Sequence, residues 1–154
     1  MTVYKGPPPT LASVSLSEPG PAALRAALDT AELEDEQKRW FDLAQADRDS
    51  FYFTVRRDGE LIGQIFLHDI DHDAGESLVG YHLFLEQHRG KGYGTLALKL
   101  LCAYAFEQLG LRRLVAITEL DNVASRRVAV KAGFREIGPA YEGPHLVAYE
   151  AQRL

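Results

Sequence analysis

Arg89-Gly90-Lys91-Gly92-Tyr93-Gly94-Thr95 sets three glycines and two cations where an apolar run, Val79 to Leu85, gives way to a run of strong helix formers, Leu96 to Leu109. The order is strand, glycine turn, helix. A helix start carries unpaired N–H groups and a partial positive charge. Glycines let that backbone approach phosphate oxygens that a Cβ would hold off, so the stretch predicts an anion-binding turn with a pyrophosphate as its ligand. Two other phosphate turns do not fit. A P-loop needs a hydroxyl directly after its lysine, and Lys91 is followed by Gly92. The dinucleotide fingerprint needs a third glycine where Thr95 stands, and the segments before it read as hairpins, not as a βαβ opening. What remains is R-x-x-G-x-G, at Arg89, Gly92 and Gly94. Taken alone, that pattern is equally compatible with a glycine turn carrying solvated cations.

Outward from the turn, the 154 residues read as one domain, 1–154, long enough to bury about two-thirds of the surface of the unfolded chain. The single cysteine, Cys102, lies in the apolar helix and reads as a small core residue. No apolar run reaches membrane-spanning length, and the start of the chain has no signal-peptide core, so a cytoplasmic protein without a membrane partner is expected. A formal net charge of -5 argues against general nucleic-acid binding and favours cationic partners.

Residues 1–9 read as a loose arm and Leu11 to Leu16 as a first, half-buried strand. Helices are expected from Pro21 through Leu28 and over Glu34 to Ala46. Phe51 to Arg57 and Glu60 to Leu67 are β-rich runs joined at Asp58-Gly59, a strong hairpin signal. His68 to Glu76 is dense in metal-ligand types, and Asp69, Asp71 and Asp73 mimic the start of a calcium loop. The sixth and twelfth places of such a loop, however, hold Ala74 and Gly80, so a solvated hairpin tip and no metal are expected. Ser77 to Leu85 is the strand that enters the turn. Leu114 to Thr118 reads as a buried strand parallel to it, with the intervening helix as the crossover. Asn122 is a natural N-cap for a helix over Val123 to Ala132 that stops at Gly133, and Phe134–Ile137 and Leu146–Glu150 read as closing strands.

From Asn122 the chain reads N-V-A-S-R-R-V-A-V-K-A-G-F. Together with R-x-x-G-x-G, one helix and one strand earlier, this resembles the two signatures of the GNAT acetyltransferase superfamily: [QR]-x-x-G-x-[GA], then N-x-x-[SA] with G-F further on. Asn122, Ser125, Gly133 and Phe134 all fall in place, and the pattern through Arg127, Val128 and Lys131 looks most like the branch that acetylates ribosomal-protein N-termini (Rim-type) and its polyamine- and antibiotic-acetylating relatives. The resemblance covers roughly Phe51 to Glu150. It implies an α+β fold: a mixed, mostly antiparallel sheet of six to seven strands, flanked by about four helices and splayed between strands four and five.

The resemblance further implies direct transfer of an acetyl group from acetyl-CoA to a primary amine, such as a peptide N-terminus, a polyamine or an aminoglycoside, by a monomer or homodimer. The alternative is a non-catalytic acyl-CoA-binding or regulatory domain. The CoA-binding residues it implies are Leu83, Phe84 and Leu85 on strand four, the turn Arg89, Gly90, Lys91, Gly92, Tyr93, Gly94 and Thr95, and Asn122, Ser125 and Lys131. An alkyl amine with a pKa near ~10 is about one part in a thousand neutral at pH 7, so a base must help. Glu76, His82 and Glu119 are the candidates. The chain departs from the family twice: Leu78 stands where many relatives carry a glutamate, and Ala129 where many carry the tyrosine that protonates the thiolate. Ser125 is then the hydroxyl expected near the sulfur, with Tyr141 a looser choice.

Overall fold

The structure, a computed structural model, describes residues 14–17, 50–83 and 90–153. Seven strands form one sheet in the order β1-β2-β3-β4-β5-β7-β6. They are β1 (Val14–Ser17), β2 (Phe51–Arg57), β3 (Glu60–Asp71), β4 (Glu76–Leu83), β5 (Arg113–Glu119), β6 (Arg135–Ala140) and β7 (Gly143–Gln152). Two helices join them: α1 (Tyr93–Glu107) between β4 and β5, and α2 (Val123–Lys131) between β5 and β6. Every strand pair is antiparallel except β4 with β5. The two helices expected within the first fifty residues lie outside the described residues.

The Asp58-Gly59 hairpin forms as its sequence dictates. Both residues take positive φ, 49° and 83°, and Arg57 pairs with Glu60 across the turn. The next hairpin differs from expectation: β3 runs on to Asp71, and only residues 72–75 form the tip. Its pairing shifts between His68 and Asp71, where Asp69 takes φ 52°. This bulge lets a stretch with a broken hydrophobic alternation stay in the sheet. The acidic side chains there serve local geometry. Asp71 accepts from the Ala74 N–H at 3.0 Å, and Asp69 meets His68 at 2.7 Å. No cluster that could hold a metal ion occurs among the described residues.

The core sits between one sheet face and α1. Ala97, Leu98, Leu101 and Ala105 of α1 are fully buried with Leu16, Phe53, Val55, Ile65, Leu67 and Leu114 of the sheet. Phe53 meets Tyr104 edge-on at 4.9 Å. The opposite face is also buried at its centre. Tyr52 stacks on Phe66 at 4.8 Å, and a Cβ on Gly80 would fall 2.4 Å from the Phe66 ring, so Phe66 lies flat over that glycine. Cys102 belongs to the core, and burial pushes its thiol up to about 12. The thiol therefore stays protonated. The native protein is expected to resist iodoacetamide at pH 8 and to take up one equivalent after unfolding in guanidinium chloride, as read by mass spectrometry.

At the end of the β4–β5 seam, Glu150 is buried between two arginines. Arg113 Nε and Arg135 Nη2 each donate to it at 2.7 Å, and Gln152 adds a bond at 3.2 Å. The Arg113 guanidinium, against some desolvation, holds the Glu150 carboxyl below the usual carboxylate range. A carboxyl depressed in the folded state stabilises above its unfolded value, about 4.3, and loses that stabilisation as pH falls through the folded value. Glu150→Gln is therefore expected to lower Tm at pH 7 and to flatten the fall in Tm below about pH 4.3 relative to the parent.

Candidate functional site

β4 and β5 pair over only four residues each, from Glu76 with Arg113 to Val79 with Ala116. Beyond that point β4 continues through Gly80–Leu83 bonded only to β3, and β5 through Ile117–Glu119 bonded only to β7. The two strands part, and their facing backbone groups form no ladder across the gap among the described residues. The expected splay is thus present. The glycine turn stands at its mouth. Gly92 is the N-cap of α1, with φ 84° and no side-chain cap, and the first turn of the helix holds no acidic residue. Gly90, with φ 74°, shares the left-handed conformation that only glycine adopts without strain. Among the described residues no side chain caps this helix start, which keeps its partial positive charge beside an exposed Lys91. Phe84, Leu85 and Arg89 lie outside the described residues.

Tyr93, expected among the ligand-binding residues, turns its ring into the core beneath the turn. The Arg57 guanidinium lies 5.3 Å from the centre of its ring. Gly94 sits within α1, where an added Cβ would lie 3.7 Å from Val128 of α2. The start of α1 thus faces Val128 with room for a Cβ, and Thr95 beside Gly94 is half-buried.

Asn122 caps α2 as the sequence requires, its Oδ1 accepting from the Ser125 N–H at 3.1 Å. A cap of this kind contributes about 1 kcal/mol. Ser125, in the first turn, reaches back across the gap. Its Oγ lies 2.8 Å from Tyr81 Oη, and the Tyr81 hydroxyl also approaches the Ser125 carbonyl oxygen at 3.0 Å. Burial pushes the Tyr81 phenol up, opposed by the bond from Ser125 and reinforced by Tyr149. Sequence reasoning missed Tyr81. Its only sequence signal was a tyrosine amid an apolar strand that enters the turn.

Of the base candidates, His82 lies on the parted stretch of β4, in register with Gln64, and Leu83 follows it in register with Gly63. Glu119 ends the parted stretch of β5. Glu76 does not belong with them. It opens β4 at the closed end of the seam, six residues and roughly 20 Å along the strand from His82. There its Oε2 accepts from Arg113 Nη1 at 3.1 Å, which makes it part of the Glu150 ion-pair group. Tyr141, the looser acid candidate, is fully exposed at the β6–β7 tip.

Arg126 fixes the outer side of α2, donating to Tyr149 Oη at 2.9 Å, to the Leu120 carbonyl at 3.0 Å and to Glu136 at 3.4 Å. Its neighbours Arg127 and Lys131 line an open groove of about 510 Å³ with Val123, Val130, Glu136 and Tyr149. A second groove, of about 570 Å³, is bordered by Glu119, Leu120, Asp121, Arg126 and His145.

The sequence profile of the Acetyltransferase (GNAT) domain matches residues 21–135. YdaF of Bacillus subtilis (strain 168), provisionally named a ribosomal N-acetyltransferase, is 38% identical over 86 residues, which are 56% of this chain and 46% of that protein. The chain spans about half the length of the curated relatives it matches. A chimera of the Vibrio cholerae spermidine N-acetyltransferase SpeG and hSSAT superposes with a TM-score of 0.76 at 17% identity, over 91% of this chain and 95% of that one. Mycobacterium smegmatis RimJ in complex with CoA-disulfide superposes at 0.71 with 20% identity, over 90% and 81%. At such identities the two superpositions establish the fold alone.

The geometry separates two glycines. A Cβ on Gly92 would strain a left-handed backbone, whereas one on Gly94 makes an ordinary contact. Gly92→Ala is expected to weaken CoA binding about tenfold or more, and Gly94→Ala to leave it within about threefold, as measured by calorimetry on folded protein.

Proposed function

The chain belongs to the acetyltransferase (GNAT) domain family, and from that premise we propose that it transfers an acetyl group from acetyl-CoA to a primary amine. The single observation that carries this reading is the coincidence of an uncapped, glycine-started helix with a parted pair of parallel strands. The first suits a pyrophosphate, and the second leaves a row of backbone donors and acceptors for an extended amide-bearing arm. Bound there, acetyl-CoA supplies an activated thioester. Gly90, Lys91, Gly92, Gly94 and Thr95 hold its phosphates, and Leu83 lends backbone to its arm. Asn122 fixes the start of α2, so that Ser125 offers its hydroxyl to the departing sulfur. His82 and Glu119 border the gap from opposite strands, and one of them takes the proton of the amine.

The acceptor is a cationic amine, either a peptide N-terminus or a polyamine. The net charge of -5 supports this, as do YdaF, named for ribosomal acetylation, and the spermidine acetyltransferase chimera.

A thiol-release assay with acetyl-CoA against N-terminal peptides, polyamines, aminoglycosides and acidic amines tests the proposal. Turnover with the cationic amines is expected, and turnover restricted to anionic ones such as aspartate refutes the acceptor class. With an active amine, a fall in kcat with CoA binding retained in His82→Gln assigns the base to His82, and the same fall in Glu119→Gln assigns it to Glu119. CoA binding without turnover of any amine would favour the non-catalytic acyl-CoA-binding alternative.

A further inference from the structure

Tyr81 and Ser125 are 44 residues apart in sequence, and their hydrogen bonds bridge β4 and α2 across the gap. Three oxygens meet there: Tyr81 Oη, Ser125 Oγ and Ser125 O. They share two protons. If the phenol donates to the serine carbonyl, the serine hydroxyl must donate back to the phenol, and its proton is occupied. If the phenol donates to Ser125 Oγ instead, the serine proton is free to point into the gap. The exchange needs only two hydroxyl rotations, and no heavy atom moves.

We infer that Tyr81 is a positioning residue for acyl transfer, donating to Ser125 Oγ so that the single serine proton is aimed at the leaving sulfur. The inference rests on the acetyl-transfer reading above and on Ser125 facing the sulfur. A serine hydroxyl in the first turn of a helix rotates readily and tends to bond to its own backbone. The Tyr81 ring, packed against the core, supplies a fixed donor that holds it out of that alternative. Donation into Ser125 Oγ also polarises the serine O–H, as in any chain of hydrogen bonds. Tyr81 keeps its own proton throughout, because burial pushes its phenol up and leaves it a donor at neutral pH. The proton of the amine leaves with the base, and the bond from Ser125 stabilises the sulfur as its bond to the acetyl carbon breaks.

The test uses free CoA and needs no acceptor. The thiolate absorbance of CoA bound to the full chain is titrated with pH in the parent, Tyr81→Phe, Ser125→Ala, the double variant and Ser125→Thr. The parent is expected to lower the CoA thiol pKa by about one unit relative to free CoA, since a hydrogen bond to the charged form favours it. Tyr81→Phe and Ser125→Ala should each return it toward the free value, the double variant should go no further, and Ser125→Thr should keep the shift. Tyr81→Phe retains the ring, so CoA affinity and Tm should stay close to the parent.

An unchanged thiol pKa in Tyr81→Phe overturns the inference, as do losses from the two single variants that add, or a parent that binds CoA without any shift. In each of these cases the acetyl-CoA site itself stands. Failure of the parent to bind CoA refutes that site, and the inference with it.

Discussion

Four residue pairs hold the two halves of the sheet together. β1 to β4 pair antiparallel in sequence order, β5, β7 and β6 form a second antiparallel set with β7 between the other two, and the parallel ladder from Glu76 with Arg113 to Val79 with Ala116 is the backbone seam between them. A parallel pair cannot be closed by a tight turn, so α1 must carry the chain back over the sheet face. That requirement places the helix start above the open end of the seam. The glycine turn and the gap are therefore one consequence of connectivity. The charged group of Arg113, Glu150, Arg135 and Glu76 pins the closed end, so that the strands part only at the other.

The C-terminal half controls where α2 begins. Arg126 ties the helix both to the Leu120 carbonyl, just before its cap, and to Tyr149 of β7, which in turn donates to Glu136 of β6. On the other side of the helix, Val128 meets the start of α1 at Gly94. Ser125 lies between these two supports. Its placement is thus set by an ion-pair and phenol network on one flank and by the facing start of α1 on the other.

Local chemistry was legible in the sequence. Asp58-Gly59 dictates its own hairpin, Asn122 its own cap, and Gly92 a helix start that no side chain closes, because each effect acts within a few residues. What could not be read was partnership across the sheet. Glu76 looked like a free carboxylate beside the site strand, yet its role follows from Arg113, which only the parallel register brings alongside. Tyr81 looked like one more apolar strand residue, and its hydroxyl gains meaning only from a serine on a helix beyond the next strand. The place of the Tyr93 ring was not legible either, since it follows from the first turn of the helix lying against the core. The extent of β3 was misjudged because a bulge at Asp69 absorbs a break in alternation that otherwise signals a loop.

Among the described residues, the parted stretch of β4 is also an unpaired sheet edge. Strands with free backbone donors and acceptors are templates for pairing with other chains, and folds usually blunt them with charge, proline or cover. Gly80–Leu83 of β4 cannot be blunted that way without removing the groups a ligand would use. Among the described residues, α2 is brought across this edge by the Tyr81 hydrogen bond. An extended ligand lying in the gap would pair with this edge and so act as a missing strand. Its occupancy would then govern colloidal behaviour as well as chemistry, with self-association expected to be a property of the empty protein.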